Sequence, residues 1–526
     1  MLALIDLSSL SSFHLVCLVL AVSLLLWDTI EVGRNDGANL VNAVLGARVL
    51  PRRWAIIIAG LAVVAGAVLS SDVIDTARKG IFDPNGVGVL DAVLTIYMSV
   101  YIVDTVLLFG YSSFGMPVST TACLVFELLG AAAAVNASTI HWHNAGKVVL
   151  GIFCSIALTG FAAFLIQRAA RGAVRQKVTK LQTLLLHGGW LGGGLTAGLC
   201  YFLLLKGMKN VPFVKAINGW LKGIDQSLNA DVSNVMAVVV MWILFGIVIH
   251  LLLVVFRRRA ARLLFPVLAV AGMIAMAFAF GQNDLANCAS PGLAAYTLLK
   301  AQSVELATKT PISRWLLLVC GMLLFGGMAT KNAQRVTKAA IATGSMGDHV
   351  ALWAPRWCIR LATSFLKFRG KEPALAPRAS VTEAGKTVHY DSLRACVIMS
   401  VSASVIATAS SLGLPVSTTY VAFAAIVATG LADRIFQRGD AELKLGRAIW
   451  VVFSWVLSAV IAVVATYFVA TAVLHLRISG MVICLVVNFI VRRILKRRAD
   501  RQLALAEEDA YERAHPEEFA LVQEDV

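Results

Sequence analysis

Gly33-Arg34-Asn35-Asp36-Gly37-Ala38-Asn39 returns 248 residues later as Gly281-Gln282-Asn283-Asp284-Leu285-Ala286-Asn287, and this recurrence decides the fold. A second element, Gly115-Met116-Pro117-Val118-Ser119-Thr120-Thr121, returns as Gly413-Leu414-Pro415-Val416-Ser417-Thr418-Thr419, a shift of 298 from Pro117 to Pro415. Two unrelated elements repeated in the same order mark a duplicated unit. The second shift exceeds the first by 50 residues (298 against 248), so an insertion must lie between Asn287 and Gly413. A polar stretch at 331–390, with Lys331, Arg335, Lys338, Arg369, Lys371, Glu372, Arg378 and Lys386, supplies it. It reads as a cytoplasmic, partly disordered segment.

Working outward, the elements sit among long apolar runs. Ala448 to Leu474 carries no charge, Val235 to Phe256 only His250, and Val148 to Ile166 and Trp54 to Ser71 are equally clean. Roughly 20 apolar residues cross the hydrocarbon of a bilayer. The 526 residues are 59% hydrophobic and 14% charged, against about 45–50% and 25% in soluble domains. An all-α, polytopic membrane protein with ten to twelve membrane segments is expected. The net charge of +16 does not point to nucleic acid, because the basic residues fill short links between spans. Arg168, Arg171, Arg175, Lys177 and Lys180 form one such link, Arg257, Arg258, Arg259 and Arg262 another, and Arg492, Arg493, Lys496, Arg497 and Arg498 follow the last span. By the positive-inside rule these links, and the C-terminal tail, face the cytoplasm of a multi-pass cell-membrane protein. The nine cysteines show no paired spacing, which argues against a disulfide framework or a zinc site. Phe13 to Ile30 reads as a retained first span, since Asp6 stands where a signal peptide would be basic.

The resulting plan is a first repeat at 1–206, linking spans at 207–262, the second repeat at 263–330 and 391–475 around the insertion at 331–390, an extra span at 476–498, and an acidic cytoplasmic tail at 499–526.

Asparagine and aspartate at membrane depth are costly and mark functional interiors. Their oxygens are the hard ligands small cations prefer. Gly33, Gly37 and Gly281 suit a break in the helix that would free carbonyls for the same task. The competing interpretation is hydrogen bonding between helices. The P-V-S-T-T elements read as tips of re-entrant hairpins, where proline fits a first helical turn and Ser-Thr-Thr adds hydroxyls to the free N–H groups of a helix start. Such a start binds anions. Ordinary capping by Ser119 and Ser417 is compatible with that. Among other intramembrane acids (Asp28, Glu31, Asp104, Glu127), Glu127 and Glu31 are candidate coupling acids, with a structural salt bridge the alternative. Gly188, Gly192, Gly194 and Gly198 allow close helix packing, internal or between copies.

The combination of G-x-N-D-x-A-N with G-[ML]-P-V-S-T-T in each half resembles the inorganic phosphate transporter family, from about Asp28 to Thr466 outside the insertion. The resemblance implies two inverted-topology repeats, cation-coupled symport of inorganic phosphate with sodium or a proton, and a homodimer. It places Asn35, Asp36, Asn39, Asn283, Asp284 and Asn287 in a cation and phosphate centre, with sodium at Asp36, Asn39, Asp284 and Asn287. Ser119, Thr120, Thr121, Ser417, Thr418 and Thr419 would surround phosphate. The chain departs from the family at Arg34 and Gln282, where a small residue is common, and at Ala122 and Tyr420, where the family has histidine. Arg34 either adds a charge to the anion site or pairs with Glu31 one turn back. These departures leave another oxyanion, such as sulfate, as an alternative substrate.

No complete nucleotide-binding loop occurs; Gly385-Lys386-Thr387 lacks its first glycine, with Ser380 in that place. The reading is therefore a secondary transporter with no cofactor beyond its coupling ion. An anion channel would favour rings of charge. An intramembrane phosphate-ester enzyme would need a base beside its nucleophile, and no histidine or lysine stands near the Ser-Thr-Thr tips.

Overall fold

The computed structural model describes residues 8, 10–69, 80–208, 211–228, 232–304, 313–347, 350–368, 388–412, 414, 416–437 and 439–514. Pro415 and Gly413 of the second tip, Gly385-Lys386-Thr387, and the tail beyond Ala514 lie outside them.

Helices account for every major element among the described residues. The first half holds α1 (Ser12–Asn35), α2 (Gly37–Gly46), α3 (Arg52–Val68), α4 (Leu90–Ser113), α5 (Thr120–Asn136) and α6 (Trp142–Val174). After it come α7 (Leu181–Cys200), α8 (Pro212–Leu228) and α9 (Ser233–Ala301). The remainder is α10 (Arg314–Met328), α11 (Lys331–Thr343), α12 (Arg356–Phe368), α13 (Ser392–Ser411), α14 (Thr418–Ala432) and α15 (Ala441–Ala514). Among the described residues, eight helices are long and apolar enough to cross a membrane, and nine spans result if the pair α10 and α11, bent by 63°, is one.

Two of those helices are really pairs. α9 is broken by Arg257 and α15 by Arg477, both with positive φ. Ile249 and Leu264 flank the first break, and both side chains reach the same glycine, Gly192 on α7. Fifteen residues of straight helix would hold them about 22 Å apart, so α9 turns sharply back on itself. Counting each broken helix as two raises nine spans to eleven. Lipid-facing positions carry exposed apolar side chains such as Leu61, Phe161, Val255, Val460 and Phe468, as a bilayer solvent permits.

The predicted helix break does not appear in the second copy of the duplicated element, where α9 runs without interruption through Gly281 to Asn287. In the first copy the helix is interrupted at Asp36, between α1 and α2, although Asp36 keeps right-handed helical dihedrals and its N–H still bonds Val32 O. The glycines serve another purpose. A Cβ at Gly33 would strike the carbonyl oxygen of Leu324 on α10, and one at Gly281 would strike that of Val63 on α3. The same exchange recurs a little further along, with Gly66 against Phe278 O and Gly327 against Ile30 O. Each half thus lays its motif helix against the other half's next helix, backbone to backbone.

The Gly188-to-Gly198 stretch also packs internally, with Gly188 against Leu253 and Leu264 and Gly193 against Gly246. The start of the 331–390 segment is helical. α11 is ordered and buries Ala333, Val336, Thr337 and Ala340, packed on α2.

The two hairpins, α4–α5 and α13–α14, stand at opposite ends of α6. At its N-terminal end, Ile140 bridges Phe82 and His141 N–H bonds Ile81 O at 2.9 Å, beside the base of α4–α5. At its C-terminal end, Arg171 pairs with Asp391 and Asp433, which flank α13–α14, at 2.6 and 2.9 Å. A helix of 33 residues is about 50 Å long.

Candidate functional site

The two motif segments and both hairpin tips converge at the centre. Asn35 holds its own half's tip: its Oδ1 accepts from Val118 N–H at 3.1 Å and its Nδ2 donates to Met116 O at 3.3 Å. Asn283 repeats this at the other tip, accepting from Val416 N–H at 3.5 Å and donating to Val416 O at 2.8 Å. Both amides bond backbone and so position the tips.

The next polar positions link the halves crosswise. Asn39 Nδ2 donates to Thr419 Oγ1 at 3.0 Å, and Asn287 Nδ2 to Thr121 Oγ1 at 2.8 Å. Thr120 Oγ1 stands between the two carboxylates, 2.8 Å from Asp36 Oδ2 and 3.1 Å from Asp284 Oδ1. Thr419 donates to Asp36 Oδ1, and Thr121 to Val416 O at 3.0 Å. Seven predicted residues (Asp36, Asn39, Asp284, Asn287, Thr120, Thr121 and Thr419) therefore share one network. Three buried oxygens in or beside it have no hydrogen-bond partner: Asp284 Oδ2, Asn287 Oδ1 and Thr418 Oγ1. The Thr418 hydroxyl faces Asp284 without closing a bond of ordinary geometry.

Ser119 and Ser417 cap their helices, accepting from Ala122 N–H and Tyr420 N–H at 3.0 Å each. That spends their oxygens locally and leaves α5 and α14 starting at Thr120 and Thr418, with two positive helix ends aimed at one centre.

Arg34 lies outside this centre. Its Nη1 donates to both oxygens of Glu31, at 2.7 and 2.8 Å. The structure shows the pair with Glu31. Glu31 is fully buried and also binds Arg492 at 2.6 Å, so this acid is neutralised on both sides. Glu127 is buried too, and its carboxyl meets that of Asp104, which in turn meets Asp28. No N–H or hydroxyl among the described residues donates to Asp28 or Glu127.

Nothing in the sequence singles out Trp455. Its Nε1 donates to Pro117 O at 3.1 Å, and its ring stacks on Tyr420 with centroids 3.8 Å apart. Ala122 and Tyr420, the two departures from histidine, fall in one apolar cluster around Trp455.

Residues 32–342 and 375–466 match the phosphate transporter family. The chain belongs to the phosphate transporter family. Family members transport, and are not enzymes; this chain is a multi-pass membrane protein of that kind. The family match leaves out 343–374, which lies within the 331–390 segment. A relative from Pyrococcus abyssi named "Putative phosphate permease" is 23% identical over 460 residues, 82% of this chain and 91% of the relative. One of the same name from Chlamydia trachomatis is 26% identical over 461 residues, 84% and 94% of the two chains. A solved structure, "The sodium-dependent phosphate transporter", superposes with a TM-score of 0.63 at 20% identity, covering 88% of this chain and all of that one. At that identity the likeness establishes the fold.

Proposed function

We propose that this family member is a sodium-coupled symporter of inorganic phosphate, built from two inverted-topology repeats in the cell membrane with a cytoplasmic C-terminal tail. The observation that carries the proposal is the pairing of Asp36 and Asp284 through one hydroxyl, Thr120, between two helix N-termini. The two carboxylates are buried, 1% and 0% exposed, and their hydrogen-bond partners are threonine and asparagine, not basic groups. An oxyanion brought there meets two negative charges of like sign, so its binding depends on cations arriving with it. The oxygen-only donor set, with Asp284 Oδ2, Asn287 Oδ1 and Thr418 Oγ1 unpartnered, suits a hard cation such as sodium. The helix starts at Thr120 and Thr418 supply N–H donors for the anion. Coupling then follows from mutual charge neutralisation, and rocking of the halves about their glycine contacts would alternate access. Placement of the hairpins at opposite ends of α6 supports the inverted arrangement.

The test is reconstitution. Radiolabelled phosphate should enter liposomes only under an inward sodium gradient, and replacing sodium with choline should stop uptake. Uptake that persists without sodium but follows a proton gradient would replace the coupling ion. Flux independent of any gradient would sink symport altogether.

A second expectation separates Arg34 from the site. Because its guanidinium is held by Glu31, Arg34→Ala should leave the KM for phosphate within about twofold of the parent, a shift of under about 0.4 kcal/mol. A rise of tenfold or more would return Arg34 to the anion site.

A further inference from the structure

A cavity of about 200 Å³ reaches the centre from one side. Thr121 and Asn287 form its floor, Leu124 and Leu128 of α5 its wall, and Asn144 and Lys147 of α6 its rim. At roughly 30 Å³ per water, it has room for six or seven waters, more than a phosphate needs. Lys147 is the single charged residue among those lining it. It is exposed, and among the described residues no acidic group pairs with it.

Its position along α6 fixes which membrane face the cavity opens to. Lys147 lies in the second turn of α6, and Arg171 lies 24 residues further on (147 to 171) in the last turn. That separation is about 36 Å of helix, more than the roughly 30 Å of hydrocarbon. The rim is therefore on the opposite face from the basic cluster Arg168, Arg171 and Arg175. If that cluster is cytoplasmic, the cavity opens outward.

We infer that this cavity is the external vestibule by which the oxyanion reaches Thr121 and Asn287, and that Lys147 is its capture residue. The inference rests on the transport reading above and adds the route and a residue the shared motifs do not contain. A lone positive charge at the rim of an apolar-walled funnel concentrates anions at its mouth. The effect is one of capture rate, so it should weaken as salt screens the rim.

Two measurements test this, and the first needs no transport. Leu128→Cys, in intact cells, should react with an anionic membrane-impermeant methanethiosulfonate added outside, above the background of the parent chain with its native cysteines, and phosphate should slow the reaction. Labelling only from the cytoplasmic side in inverted vesicles, or from neither side, overturns the vestibule. The second is kinetic. Lys147→Gln should raise the KM for phosphate roughly threefold or more, leave kcat unchanged and flatten the dependence of kcat/KM on ionic strength, while Lys147→Arg restores the parent behaviour. A KM and salt dependence equal to the parent's overturn the role of Lys147. Failure of the transport reading would look different: Leu128→Cys would still be labelled from outside while no gradient drove uptake in the parent protein.

Discussion

Asp36→Asn and Asp284→Asn will each lower sodium-driven phosphate uptake by at least about a hundredfold, with the protein still folded and inserted. The first half of that expectation comes from charge. If two carboxylates hold the cations that neutralise phosphate, removing one leaves a site that cannot balance its cargo, and loss of a group supporting an ion site typically costs 10–100-fold on its own. The second half comes from hydrogen bonding. Asp36 accepts from Thr120 and Thr419, and a threonine hydroxyl can donate or accept. An asparagine amide can therefore take the carboxylate's place with one hydroxyl reversed. Asp284 is more forgiving structurally, because its Oδ2 has no partner to lose. The double variant should be no worse than either single one, as expected for residues acting as a unit. Uptake in liposomes is read beside size-exclusion profiles and thermal unfolding in detergent. Near-parent uptake in both single variants would remove the centre from these residues.

That centre is largely legible in the sequence, for a definable reason. Polar side chains at membrane depth stand out because each is expensive in lipid, and duplication makes the signal appear twice. What a sequence cannot carry is which neighbour each side chain finds. Asn35 and Asn39 sit four residues apart in one motif, yet one is spent on the tip of its own half and the other crosses to Thr419. Glu31 meets Arg492, 461 residues away, and no local pattern announces such a pairing. Trp455 lies in an apolar span and reads as lipid-facing or core with equal ease. Only its hydrogen bond to Pro117 O reveals that it steadies the first tip.

Two features of the sequence carry a second physical meaning. Lys331, Arg335 and Lys338 give the start of the insertion a polar look, but Ala333, Val336, Thr337 and Ala340 recur at i, i+3, i+4 and i+7. That is the buried stripe of an amphipathic helix, and charge counting hides it. The motif glycines suggest a helix break because glycine is unfavourable within helices. Absence of a side chain has a second use, close approach of two backbones, and the contacts of Gly33 and Gly281 show that it operates here.

Close approach yields a sharp contrast between two adjacent residues. Gly326 and Gly327 are both inside α10. A Cβ on Gly326 meets nothing within 4 Å, whereas one on Gly327 would collide with Ile30 O and come within 3.0 Å of Arg34 N and Gly33 C. Those atoms are backbone of α1, so no rotamer change relieves the clash. Overpacking of this kind typically costs 1–3 kcal/mol, and backbone on the far side puts Gly327→Ala at about 3 kcal/mol or beyond. Gly326→Ala should instead be neutral or stabilising by up to about 1 kcal/mol, the usual gain from alanine over glycine in a helix. Gly327→Ala also pushes α10 away from the start of the motif, since Ile30 and Gly33 lie within six residues of Asp36. Its uptake should consequently fall further than its stability alone would explain. The measurements are the thermal midpoint of the purified protein in detergent and sodium-driven uptake per folded molecule. Equal midpoints for the two alanine variants would mean that α1 and α10 do not meet backbone to backbone, and the reciprocal packing of the two halves would have to be abandoned.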